Sequence, residues 1–164
     1  MLKKLAVGAA ALVATSSAAS AEQLVDSIHF LIPGGAGGGW DGTARGTGEA
    51  LTGAGIVGSA SFENMSGGGG GVAIGHLIEN ADSMDGTLMV NSTPIVIRSL
   101  QGVFPYNFSA LTMIAGTIGD YGALVVTPGS ATTLGDLVAA YTADPSSIAM
   151  GGGSVPGGMD HLIG

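Results

Sequence analysis

The chain has no cysteine, which excludes disulfide bonds and thiolate metal sites. Lysine is nearly as scarce, because it occurs only at Lys3 and Lys4. After residue 21 the only strong cations are Arg45 and Arg98, while all twelve acidic residues remain. That part of the chain therefore carries a formal charge of −10, from two arginines and twelve carboxylates. Such a charge argues against nucleic acid and anionic membrane surfaces as partners.

Long apolar runs are also missing. After the first residues no segment has the roughly 18 uninterrupted apolar residues of a membrane helix, so the mature protein is not expected to be membrane-embedded. The start of the chain has Lys3 and Lys4, an apolar run over 5–14, and the small-residue sequence Ala-Ser-Ala over 19–21. This pattern predicts a cleavable signal peptide over 1–21 and a periplasmic protein. The alternative, a membrane anchor, requires a longer apolar run.

Glycine is abundant, with 31 residues. The stretch FLIPGGAGGGWDGTARG (30–46) and the stretch NMSGGGGGVAIGHL (64–77) each lead from a strand-like segment into an apolar helical pattern. Glycine permits positive φ and close approach of the backbone to a ligand, and a helix N-terminus carries partial positive charge. These turns therefore predict an anion held by backbone N–H groups. A third glycine turn over 151–158 makes the alternative, flexible connectors, less attractive.

Strand and helix patterns alternate along the first half. Strands are predicted over 27–33, 58–65 and 86–94, each followed by a helix, and this order indicates parallel βαβ units of an α/β fold. We place a first α/β domain at 22–105 and a second at 106–164. The helices of the first domain are predicted over 41–51, 72–80 and 95–104.

In the second domain, strand and helix patterns no longer alternate regularly. A helix is predicted over 132–142, opened by the capping spacing of Thr133 and Asp136. The pattern stops in a helix that begins at about Met159, which predicts that the second domain is incomplete. Strands are predicted over 110–119, 123–128 and 147–153.

A dinucleotide site is the main alternative for the first turn. Gly37, Gly39 and Gly42 match G-x-G-x-x-G, and Glu63 follows at about the spacing of the ribose-binding acid. Against it, Asp41 would bring negative charge beside the pyrophosphate and Trp40 is bulky for a tight turn. Export also removes the protein from the nicotinamide pool. A P-loop is excluded because it requires a lysine.

Catalytic and metal patterns are weak. His29, His76 and His161 lack the spacing of a zinc site, so neither a metal nor a cofactor is expected. Ser154 lies in GGGSVPG, where Pro156 replaces the last glycine of a nucleophile elbow. A hydrolase that uses Ser154 and His161 stays open as an alternative, but the sequence does not favour an enzyme.

Taken in order, the motifs IPGGAGGGWDGTAR, ENMSGGGGGVAIG, NSTP and MGGGSVPGGMDH resemble those of the periplasmic solute receptors of tripartite tricarboxylate transporters, the Bug-type receptors. The resemblance runs from about Ile28 to the last residue. It implies a periplasmic binding protein-like fold of two α/β domains around a ligand cleft, with the second domain truncated. It also implies that the protein captures a small carboxylate and delivers it to membrane permease subunits.

The resemblance further implies that backbone amides of the first two turns hold a ligand carboxylate. In this sequence Asp41 is then expected to cap its helix, with contact to a ligand hydroxyl as the alternative. His161 either packs at the start of its own helix or donates to the ligand. The implied ligand-binding residues lie in four turns and are Gly37, Gly38, Gly39, Trp40, Asp41, Ser66, Gly67, Gly68, Gly69, Gly70, Asn91, Ser92, Thr93, Ser154 and His161.

Members of this family are about twice as long, which leads to an expectation about stability. Residues 22–164 alone should leave apolar strand residues such as Val125, Val126 and Ile148 uncovered, although parallel strands are ordinarily buried on both faces. We expect this piece to aggregate and to bind no carboxylate usefully, whereas a chain of family length would bind.

Overall fold

The structure is a computed structural model that describes residues 22–153 and 155–164. The predicted signal peptide and Ser154 lie outside the described residues. The protein is of mixed α/β type, with one three-stranded parallel sheet. The strands are β1 (Val25–Ile32), β2 (Val57–Asn64) and β3 (Thr87–Met89), and the α-helices are α1 (Gly39–Gly53), α2 (Gly71–Glu79), α3 (Thr93–Leu100), α4 (Leu134–Ala143) and α5 (Met159–Ile163).

The sheet has the order β2-β1-β3, with β1 in the centre. The three predicted parallel strands and the intervening helices are thus confirmed, although β3 is shorter than predicted. β2 and β3 lie on opposite sides of β1. Because crossovers between parallel strands are right-handed as a rule, this order places α1 and α2 on opposite faces of the sheet. In an open sheet of this kind ligands bind beyond the carboxyl ends of the strands, where the chain order reverses.

The core forms on both faces of β1. Phe30 and Ile32 cluster with Ala44 of α1, and the Phe30 ring stacks on Phe62 of β2 with centroids 5.4 Å apart. Gly48 allows α1 to approach this strand, since a Cβ there would lie 2.6 Å from the Phe62 ring. The buried residues outside this cluster are Leu31, Val57, Ala73, Ile74 and Ile95.

The connection after α3 packs on α2. Phe104 lies against Gly71, and Tyr106 lies beside Gly75 and donates from its hydroxyl to Glu79 Oε1 at 2.7 Å. That acceptor raises the pKa of the Tyr106 hydroxyl above its ordinary value. The residues around 105, where the sequence places the boundary between two domains, therefore pack on α2.

The strands predicted over 110–119, 123–128 and 147–153 are wrong. Residues 112–127 and 148–152 have neither helix nor strand, and the other described residues offer them no strand to pair with. A strand exists only when a neighbour accepts and donates its backbone hydrogen bonds. Apolar alternation in these segments indicates strand propensity, which cannot replace a missing partner.

The predicted helix in this part is confirmed as α4 and begins with a capping box. Thr133 Oγ1 accepts from Asp136 N, and the Asp136 carboxylate accepts from Thr133 N. Hydrogen bonds from the Thr132 hydroxyl at 2.8 Å and from Thr133 hold the pKa of the Asp136 carboxyl below its ordinary value. The expected exposure of Val125 and Val126 is also found, at 84% and 39% of their surface, whereas Ile148 is half-buried.

Candidate functional site

Three turns meet beyond the carboxyl ends of the strands. In the parallel register Ile32 lies opposite Asn64, so the turns that follow β1 and β2 start side by side. A Cβ on Gly35 of the first turn would lie 3.8 Å from Ser66 Oγ of the second. The first two turns are thus in contact at the edge where ligands bind in parallel sheets.

The first turn leads into α1 with unpaired amides. Gly37 has φ 80° and donates to Asp41 Oδ2 at 2.9 Å, and Gly38 donates to Gly35 O at 3.2 Å. For the N–H groups of Gly39 and Trp40 the described residues supply no acceptor, as expected at the start of a helix. These two amides can therefore receive an oxygen from a ligand.

Asp41 has a different role from the predicted helix cap. The cap position is occupied by Gly38, which has no side chain to form a capping hydrogen bond. Asp41 lies inside the first turn of α1 and is buried. Its carboxylate accepts from Arg45 Nε at 2.9 Å, from Gly37 N and from Asn64 Nδ2 at 3.0 Å. These bonds, that of Arg45 foremost, lower the pKa of Asp41 from 3.8 to about 2. The cap prediction is therefore wrong in position, although Asp41 does fix the loop.

The second turn is the most unusual stretch of backbone. Four consecutive residues, Gly67, Gly68, Gly69 and Gly70, have φ of 148°, 58°, 68° and 101°. A side chain at any of them would be strained, because L-residues rarely adopt positive φ. The amides of Gly68 and Gly69 find no acceptor among the described residues. The five-glycine run thus produces a turn that presents backbone N–H groups, as predicted.

The third turn joins the first through a side chain. Trp40 Nε1 donates to Ser92 Oγ at 2.8 Å, and Ser92 is the residue before α3. This bond crosses the crevice between the ends of β1 and β3. Asn91 and Thr93 flank Ser92, so the predicted residues of the first three turns lie at one edge of the sheet.

The turn over 155–158 meets this region through α3. Arg98 Nη1 donates to Pro156 O at 3.2 Å, and Gln101 Nε2 donates to Gly157 O at 2.9 Å. Gly157 N in turn donates to His161 Nδ1 at 2.7 Å, so the His161 ring holds its own turn and its Nδ1 is an acceptor. The predicted site residue Ser154 cannot be placed, since it lies outside the described residues.

Sequence reasoning missed two residues of this region, Asn64 and Arg98. Asn64 ends β2 and donates to Asp41 and to Gly34 O, which connects the ends of two strands. The strand-end position of an amide residue was the available signal for it. Arg98 could have been singled out because strong cations are rare: it is one of only two after residue 21.

The two arginines differ in whether a carboxylate of the described residues neutralises their charge. Arg45 forms an ion pair with Asp41, and its guanidinium also lies 5.0 Å from the centre of the Phe62 ring. Arg98 has no carboxylate partner among the described residues. Chemically the region combines free backbone amides, the hydroxyls of Ser66 and Ser92, and one cation without a carboxylate partner, a set that suits an anion.

Two functional features are absent from the described residues. No helix there is both long and apolar enough to cross a bilayer. No three histidine or carboxylate side chains in that part of the chain are grouped as metal ligands. Comparison of the chain with protein-family models, curated proteins and solved structures finds no match.

Proposed function

We propose that the protein binds the carboxylate of a small organic acid between its first two glycine turns. It acts as an extracytoplasmic receptor that delivers a tricarboxylate, a dicarboxylate or a similar acid to the permease of a tripartite tricarboxylate transporter. In this proposal the residues after 105 belong to a second α/β domain that closes over the ligand. The resemblance of the sequence motifs to Bug-type receptors supports the receptor role.

The observation that carries the proposal is the pair of adjacent turns with unpaired amides. Gly39 and Trp40 of one turn, and Gly68 and Gly69 of the other, have N–H groups without acceptors among the described residues. The turns are neighbours because they follow paired parallel strands. Each hydrogen bond to a charged oxygen contributes about 1.5–3 kcal/mol, so three or four such bonds support micromolar binding of a carboxylate.

The buried Asp41 carboxylate is compatible with an anion site nearby. Its charge is compensated by Arg45 at 2.9 Å, and its oxygens accept from groups of the protein itself. A bound anion therefore meets amide N–H groups rather than a free negative charge. Because the charge of Asp41 is compensated, it no longer argues against a dinucleotide, whose pyrophosphate would lie beside it.

Two other contacts disfavour the dinucleotide alternative. The Trp40 indole crosses the crevice between β1 and β3 to reach Ser92, and a dinucleotide needs that crevice for its pyrophosphate. Glu63, the candidate ribose-binding acid, lies 3.5 Å from His29 Nε2 on β1. The crevice and the acidic residue that a Rossmann-type oxidoreductase would use are thus occupied by contacts within the protein.

A thermal-shift screen tests the proposed function. We expect citrate, succinate, glutamate or benzoate to raise the melting temperature of the full-length mature protein, since a ligand of the folded state stabilises it by mass action. Nicotinamide dinucleotides should leave it unchanged. Stabilisation by dinucleotides and by none of the acids would replace the proposal with the oxidoreductase alternative.

Substitution of the second turn tests the location. Replacing Gly68 and Gly69 together by valine should abolish carboxylate binding, because the positive φ of both residues is lost and side chains fill the place of the anion. The expected loss on titration calorimetry is about 1,000-fold or more, equivalent to two charged hydrogen bonds. A matched control replaces Gly116 and Gly119, which face open space without positive φ. Affinity that survives the first substitution places the site elsewhere.

A further inference from the structure

Arg98 is the charged group that the proposed site does not yet use. It lies in the last turn of α3, and its side chain reaches the second glycine turn. A Cβ on Gly69 would lie 3.4 Å from Arg98 Nε and 3.2 Å from Val155 Cγ2. The guanidinium is therefore placed where the second turn, α3 and the turn over 155–158 meet.

The hydrogen bonds of Arg98 are incomplete. Nη1 donates to Gln101 Oε1 at 3.0 Å and to Pro156 O at 3.2 Å. Nε is buried and has no hydrogen-bond partner. An unsatisfied buried donor of a charged group is costly, and both acceptors of Nη1 are neutral carbonyl oxygens. A carboxylate oxygen is the stronger acceptor for a guanidinium.

We propose that Arg98 is the cationic contact of the bound acid and that it selects a carboxylate held at the second glycine turn. This inference rests on the proposed function. The carboxylate replaces Pro156 O as acceptor of the guanidinium and also accepts from the Gly68 and Gly69 amides. The backbone amides of the turn fix the position of the carboxylate by hydrogen bonds, and Arg98 supplies the net positive charge that the rest of the site lacks.

The neighbouring cavity does not compete for this carboxylate. It has a volume of about 270 Å³ and is lined by residues 150–153, Pro156, Asp160, His161 and Gly164. The Asp160 carboxylate points toward its glycine wall, because a Cβ on Gly153 would lie 2.6 Å from Asp160 Oδ2. The negative charge of Asp160 in the lining of this cavity repels a ligand carboxylate. The anion is therefore assigned to the Arg98 side of the turn.

Arg45 provides the matched control, since it is an arginine of the same region that is already paired with Asp41. Arg98→Gln should weaken binding of the stabilising acid, among citrate, succinate, glutamate and benzoate, by about 100-fold on titration calorimetry, the effect of losing a charged hydrogen-bond pair. Arg45→Gln should weaken it by less than tenfold. Loss of less than tenfold in a folded Arg98→Gln protein overturns the inference.

A measurement on the unaltered protein covers the case in which Arg98→Gln fails to fold. The Nε–H signals of Arg98 and Arg45 are followed by NMR with labelled arginine, and they are assigned from the spectra of Arg98→Lys and Arg45→Gln. Titration with the same four acids should shift the Arg98 signal to saturation and leave that of Arg45 nearly in place. If an acid raises the melting temperature and the Arg98 signal stays, only this inference fails. If none of the acids stabilises the protein, the proposed function fails with it.

Discussion

Residues 22–110 and 111–164 contain similar apolar segments, yet only the first group is buried. Every buried hydrophobic side chain of the described residues lies between Phe30 and Ile95. The segment Phe30–Ile32 is 1% exposed or less, whereas Val125 in the similar segment ALVV is 84% exposed. The difference is one of partners, because β1 has a hydrogen-bonded strand on each side and residues 112–127 have none among the described residues.

This comparison shows that hydrophobic sequence and hydrophobic burial are separate properties. Burial of an apolar side chain contributes about 25 cal/mol per Å² only when another surface covers it. The exposed apolar residues of the second region therefore form a surface without a described cover. They include Met113, Ile114, Ile118, Tyr121, Leu124, Val125, Leu134, Val138, Tyr141, Met150, Leu162 and Ile163.

The largest expected effect contrasts one apolar residue from each region. Ile32→Ala should lower the free energy of unfolding by about 2–5 kcal/mol, because the side chain is fully buried and its removal leaves a cavity. Val125→Ala should change it by less than about 0.5 kcal/mol, as for other exposed positions. Urea unfolding followed by circular dichroism measures both. Equal costs would show that residues 112–127 are packed in solution and would end the contrast.

The next effect concerns the acid stability of the first region. The folded-state pKa of Asp41 is lowered to about 2, so its contribution to stability is present above the unfolded pKa near 4 and is lost as the pH falls through 2. Asp41→Asn should therefore lower the melting temperature at pH 7 and flatten its dependence on pH between 4 and 2.

The control for this prediction is Asp82→Asn, because Asp82 is exposed and its carboxylate accepts no hydrogen bond from the described residues. Thermal unfolding monitored at several pH values compares the two variants. An unchanged acid transition in Asp41→Asn would mean that the Arg45 and Asn64 contacts do not stabilise the folded state.

The smallest effect is expected at α4 in the second region. Thr133→Ala removes the capping hydrogen bond to Asp136 N and should destabilise the helix by about 1 kcal/mol. Because α4 has no fully buried residue, the loss should appear as reduced helicity of residues 134–143 and leave the unfolding midpoint of the first region unchanged.

Thr133→Ser keeps the hydroxyl and serves as the control for this helix, with Cα chemical shifts as the measurement. A lower midpoint for the whole protein in Thr133→Ala would show that α4 is packed on the first region. The two regions would then unfold together.

Much of the first region follows from local sequence. Alternating strand and helix patterns predict the three parallel strands and α1, α2 and α3, since each element depends on periodicity and on glycine turns within a few residues. The cap of α4 is equally local, because Thr133 and Asp136 are three residues apart. The five-glycine run permits positive φ at 67–70, a conformation that other residues rarely adopt, whereas the fifth glycine, Gly71, has φ −62°.

Only the tertiary structure decided which groups are available at the candidate site. Whether Asp41 faces a ligand or the interior depends on Asn64, which is 23 residues away and opposite Ile32 only in the paired sheet. Arg45 forms an ion pair with that carboxylate, whereas Arg98 reaches Gly69 and Pro156 from another helix. Hydrogen bonds and charges act over a few ångströms, so pairs distant in the sequence are decided by the packing that brings them together. The same reason explains why strand propensity formed β1 and left residues 112–127 without a strand.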